Sequence, residues 1–75
     1  MIIEKSDFAK KVGTNIRNIR QSTGKSIEQL AHEANMDPKQ LRRIELGQIN
    51  TSIYHIYLIA NTLQIKISDI FKDIF

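Results

Sequence analysis

Between Gly24 and Gly47 the sequence GKSIEQLAHEANMDPKQLRRIELG holds two helix starts and two helix stops. Ser26, with Gln29 three residues on, is a capping box. Asp37 followed by Pro38 is a second start, a cap ahead of a proline at the first helical position. Gly24 and Gly47 stand where helices end. Asn35, Met36 and Asp37 leave a turn so short that the two helices must cross steeply. That demands a small residue at their closest approach, which Ala31 supplies. Leu30, Ala31, Met36, Leu41 and Ile44 are the apolar set needed to lock such a pair together. The spacing therefore predicts a helix-turn-helix at about residues 27–45.

Similar signals recur on either side. Phe8, Val12, Ile16 and Ile19 fall at i, i+4, i+8 and i+11, the apolar stripe of a first helix that Ser6 or Asp7 can cap. After the polar loop from Gln48 to Thr51, Ser52 caps a fourth helix with Ile53, Ile56, Ile59, Ala60 and Leu63 directed inward. A break at residues 64–66 leads to a last short helix carrying Ile67, Ile70, Phe71, Ile74 and Phe75. No sustained alternation and no Asn-Gly or Asp-Gly turn signals a strand. With no repeat or linker, residues 1–75 are expected to form one all-α domain of five short helices.

The charge is unevenly spread. Residues 1–43 carry nine Lys/Arg against five Asp/Glu, and residues 44–75 only two against three. A polyanion would meet the first half. At 100° per residue, Lys39, Arg42 and Arg43 crowd one side of the third helix, opposite Leu41 and Ile44. Arg pairs bidentately with guanine O6 and N7, and Lys donates to the same edge. The second helix starts at Ser26, with Lys25 just before it, and offers free N–H groups and a positive dipole end to a phosphate. Gln48, Asn50 and Thr51 are candidate clamps for the same backbone, contacts that position a protein without reading sequence.

Other chemistry is weakly represented. There is no cysteine, hence no disulfide framework or thiolate metal site, which fits a reducing cytoplasm. Glu28 and His32 lie at i, i+4 and His55 is alone, short of a three-ligand metal set. No Gly-rich phosphate loop or nucleophile motif occurs. No metal, cofactor, small-molecule substrate or catalysis is expected. The opening MIIEKSDF lacks the apolar run of a signal peptide, and no stretch approaches the roughly 20 apolar residues of a membrane span. A cytoplasmic protein without membrane contact is expected.

Taken together, IRNIRQSTGKSIEQLA (16–31), NMDPKQLRRIELG (35–47) and NTSIYHIYLIANTLQIKISDIF (50–71) resemble the Cro/repressor-like (Xre-type) helix-turn-helix proteins of phages and bacteria. The resemblance implies a five-helix, lambda-repressor-like fold whose third helix enters the major groove of double-stranded DNA. It implies a sequence-specific transcriptional regulator. It maps Lys39 and Arg43 onto base-reading positions, with Arg42 and Gln40 flanking. It also implies that Glu45 turns inward to Arg20 of the first helix as a largely buried, bidentate pair. Lys66 replaces the usual Ser/Thr cap of the last helix. The competing expectation is a helical protein-interaction module, adaptor or antitoxin-like, whose helix-turn-helix is structural.

Four helices already fill the core of so small a domain. Ile67 and Ile70 can close it, which leaves Phe71, Ile74 and Phe75 uncovered, with Leu58 and Tyr57 of the fourth helix extending the patch. Exposed apolar clusters mark interfaces. A homodimer on a palindromic operator is expected, with Leu58, Phe71, Ile74 and Phe75 at its interface. The alternative is that the tail folds back on its own domain.

Overall fold

The structure, a computed structural model of the chain, describes residues 2–75, and among them there are five helices and no strand. They are α1 (Lys5–Ser22), α2 (Ile27–Glu33), α3 (Pro38–Glu45), α4 (Ile53–Leu63) and α5 (Ile67–Ile70). The starts of α2, α3 and α4 lie where side chains cap them. Ser26 Oγ accepts the Gln29 N–H at 3.0 Å, Asp37 Oδ1 that of Lys39 at 2.9 Å, and Ser52 Oγ that of His55 at 3.1 Å. Each bond satisfies a backbone donor that has no partner within its helix. The stops use left-handed residues: Asn35, Gly47 and Gln64 have φ of 56°, 72° and 57°. The next N–H then reaches back five residues, Met36 to Ala31, Gln48 to Arg43 and Ile65 to Ala60, closing Schellman turns.

α3 packs on α1 and α2, α4 packs on α2 and α5, and α5 also packs on α1. Every helix contributes to one core, through Ile16, Leu30, Leu41, Ile44, Ile59 and Ile70, all fully buried. At Gly13 the backbones of α1 and α3 come close together. A Cβ there would stand 2.6 Å from the Glu45 carbonyl oxygen and closer still to that of Ile44. Both are backbone atoms within or ending a helix, so neither can swing aside as a flexible side chain would. No helix among the described residues is long and apolar enough to cross a membrane.

Several expectations change. α1 begins at Lys5, ahead of Ser6 and Asp7, and Glu4 before it makes no capping bond through its side chain. Asp7 lies in the first turn instead, where a carboxylate favours the helix dipole. Ile53, at the first position of α4, is 86% exposed rather than buried. It borders an apolar hollow that no other described segment fills. Lys66 makes no capping bond through its side chain, and α5 keeps only the return half of a capping box, in which Asp69 Oδ2 accepts the Lys66 N–H at 3.0 Å.

The largest change is at the C-terminus. α5 stops at Ile70 after four residues, and Ile67 is 41% exposed. The chain then turns through Asp73, at φ 62°. Asn15 of α1 donates Nδ2 to the carbonyls of Ile70 and Lys72, at 2.8 and 3.0 Å. These bonds hold the tail against α1, and Ile74, expected among the uncovered residues, is buried at 4% exposure. Phe71 is half-buried against Phe8, with ring centroids 6.1 Å apart, whereas Phe75 is 87% exposed.

Helix propensity alone would make Gly13→Ala a gain of about 1 kcal/mol. The clash with α3 reverses that sign, and a net loss of about 2–3 kcal/mol is expected. Urea unfolding measures it; a raised midpoint would mean that α3 can retreat from α1 at no cost.

Candidate nucleic-acid interface

Asp37 and Pro38 start α3 abruptly, and the helical period then divides it into two faces. Leu41, Ile44 and Glu45 are buried, while Lys39, Arg42 and Arg43 are exposed. The rotation of the helix is held by Glu45. Arg20 Nε donates to Glu45 Oε2 at 2.7 Å and Nη2 donates to Oε1 at 2.9 Å. A third bond, from Nη1 to the Lys25 carbonyl at 2.9 Å, ties the same guanidinium to the residue before the Ser26 cap. One buried side chain of α1 thus sets the position of α3 and of the start of α2. The hydrogen bonds to Glu45 raise the Arg20 pKa above its ordinary value, outweighing the opposing effect of burial. No buried side-chain nitrogen or oxygen among the described residues lacks a hydrogen-bond partner.

The outward cations differ in their surroundings. Arg42 Nη2 lies 3.4 Å from Glu28 Oε2 of α2, and both side chains are more than half exposed. Lys25 Nζ is 2.5 Å from Glu33 Oε1 at the other end of α2, and this bond holds the Glu33 carboxyl below its ordinary pKa. Such solvent-screened surface pairs are weak, so both cations stay available to a phosphate. Lys39 and Arg43 have no ion-pair partner among the described residues.

Gln40 and Thr51 meet at a residue one helical turn beyond Thr51, which sequence spacing does not link to Gln40. Gln40 Nε2 lies 3.0 Å from His55 Nδ1, and Thr51 Oγ1 lies 3.1 Å from the same nitrogen. His55 therefore joins α3 to the loop before α4. Gln48 and Asn50 are exposed on that loop, and Ser26 is exposed beside the start of α2. Gly13 is the other residue the sequence does not single out. Its only signal is a glycine, an unfavourable helix former, retained inside a strongly periodic helix.

Elsewhere the surface offers little chemistry. Among the described residues no three His, Cys, Asp or Glu gather where they would hold a metal ion. An apolar hollow of about 280 Å³ opens between α1, α4 and α5, bordered by Phe8, Ile49, Ile53, Ile67 and Phe71, with no charged side chain lining it.

The sequence model of the helix-turn-helix family matches residues 16–70. No curated protein matches the chain by sequence. Among solved structures, the restriction-modification controller protein C.AhdI from Aeromonas hydrophila is 32% identical, with a TM-score of 0.83 over 84% of this chain and 96% of that one. A transcriptional regulator of the same family from Vibrio cholerae is 25% identical, with a TM-score of 0.86 over 91% of this chain but 38% of that longer one. The clp gene regulator ClgR from C. glutamicum shares the fold at 21% identity, with a TM-score of 0.80 over 84% of this chain and 82% of that one.

Truncating Glu45 to Ala strands the Arg20 charge in a buried site, and a loss of about 3 kcal/mol is expected. Replacing both residues by well-packed apolar ones should recover much of it. Strictly additive losses in a double-mutant cycle would show that the two do not act as a pair.

Proposed function

The chain belongs to the helix-turn-helix family of Xre/Cro type, and on that premise we propose that it is a non-catalytic, cytoplasmic transcriptional regulator that reads duplex DNA with α3 in the major groove. The observation that carries this reading is the exposure of Lys39 and Arg43, free of ion-pair partners among the described residues, on the face opposite Leu41 and Ile44. Arg43 and Lys39 donate to base edges, with Arg42 and Gln40 beside them. Lys25, Ser26, Gln48, Asn50 and Thr51 grip the flanking phosphates. A controller protein of a restriction-modification system is a solved relative of similar length, and it supports the reading of this chain as a DNA-binding regulator.

The protein works as a homodimer on a roughly palindromic operator. The exposed Phe75 and Ile67, the half-buried Phe71 and Leu58, and the rim of the apolar hollow are the apolar side chains offered to a second copy. Ile74 is not part of it, since its side chain already fills the core. A two-fold pair would present its recognition helices about 34–36 Å apart, one turn of DNA.

Arg43→Ala should weaken specific binding by roughly 1–3 kcal/mol and relax preference at one base pair per half-site. Lys25→Ala should weaken binding to all sequences alike and flatten the salt slope by about one unit at most. A protein whose helix-turn-helix is merely structural would show no salt-dependent duplex binding in the same titration. For the dimer, Phe71→Asp together with Phe75→Asp should shift the sedimenting species to a monomer. Unchanged sedimentation would place the interface elsewhere.

A further inference from the structure

His55 is placed to control what Gln40 shows to DNA. The Nε2 atom of a glutamine carries only hydrogens, so at 3.0 Å from His55 Nδ1 it donates and the imidazole nitrogen accepts. The ring proton of a neutral His55 then sits on Nε2. Thr51 Oγ1, at 3.1 Å from the same Nδ1, is a second donor to it in the free protein, and its one hydroxyl hydrogen turns to a phosphate when DNA binds. One in-plane lone pair is thus shared by a residue of the recognition helix and a residue of the phosphate-gripping loop. While the ring proton stays on Nε2, turning the Gln40 amide over would bring its carbonyl oxygen against that lone pair, so reversal also requires moving the ring proton to Nδ1. The acceptor at Nδ1 selects one of the two amide orientations.

We infer that His55 is a specificity-determining positioning residue, which holds the Gln40 amide so that its carbonyl and its second N–H remain free together. The inference rests on the reading of Gln40 as a base contact. That free pair matches adenine, which offers N6–H as donor and N7 as acceptor in the major groove. The reversed amide would present two N–H groups, the complement of guanine O6 and N7. With Nδ1 accepting, the guanine-reading orientation is disfavoured. Half-burial of both side chains, and the Ser52 cap that anchors the His55 backbone N–H at 3.1 Å, keep the imidazole in place before DNA arrives.

The test is selection from a pool of randomised duplexes with wild type, Gln40→Ala, His55→Asn, His55→Leu and the Gln40→Ala/His55→Leu pair. Asn places an acceptor near the position of Nδ1, and Leu has a similar size and accepts nothing. At the base pair where Gln40→Ala removes the preference, wild type and His55→Asn should favour adenine over guanine by about tenfold, a typical value for a bidentate pair. His55→Leu should bring the two bases near parity, and the double variant should lose nothing more. Nitrogen NMR of the wild-type imidazole, free of DNA, should show an unprotonated Nδ1, a readout that does not depend on any variant folding. An adenine preference kept by His55→Leu and lost by Gln40→Ala would overturn the inference, as would a neutral ring protonated at Nδ1. If Gln40→Ala changes preference at no base pair, the reading of Gln40 as a base contact fails, and the role of His55 falls with it.

Discussion

The buried pair between Arg20 and Glu45 determines where α3 points, and the interface depends on that. An isolated helix of eight residues is not stable in water, so α3 owes its position to what it packs against. Gly13 lets its backbone lie almost against α1, and the two parallel hydrogen bonds from the guanidinium then set its rotation. A buried ion pair is weak evidence for net stability. Its contribution here is geometric, because a bidentate contact tolerates little rotation. A half-turn of α3 would bury Lys39 and Arg43 and expose Leu41 and Ile44. The third bond, to the Lys25 carbonyl, extends the same control to the start of α2.

The charged surface follows from this arrangement. Glu28 and Glu33 lie on α2 beside Arg42 and Lys25, which lowers the positive potential there. Lys39 and Arg43 are left with no such neighbour bound to them among the described residues. The outer face of α3 therefore keeps the charge of Lys39 and Arg43 unneutralised, and the weaker flanking pairs can exchange a carboxylate for a phosphate at little cost. His55 adds a second link, from α3 to the loop before α4, so that side chains on two elements share one acceptor.

The C-terminal segment is governed by a competition between covering apolar side chains and satisfying backbone carbonyls. A continued helix would have kept Phe71 and Ile74 on one stripe. The turn at Asp73 instead offers two carbonyls to Asn15 and lets Ile74 complete the core. Phe75 is left outside, and the remaining apolar surface is smaller than a helical reading of ISDIFKDIF implies.

Much of this protein is determined locally and is legible in its sequence. Ser26, Asp37 and Ser52 cap the helices they precede, because a short polar side chain bonds a backbone N–H two or three residues away whatever surrounds it. The stripes through Ile16, Leu41 and Ile59 face inward because a helix has one period. The cationic face of α3 follows from that same period. The remaining features join residues far apart in the chain. That α1 begins before Ser6, that Ile53 stays in solvent and that Ile74 is covered all depend on which neighbouring segments reach those positions. The need for a glycine at residue 13 arises only when the carbonyls of Ile44 and Glu45 arrive there. His55 lies one helical turn from Thr51, but it meets Gln40 only once α4 has docked. Capping and periodicity act within a turn or two of helix, so the sequence determined the helices and their faces. Contacts between helices depend on where whole elements come to rest, and only the tertiary structure decided those.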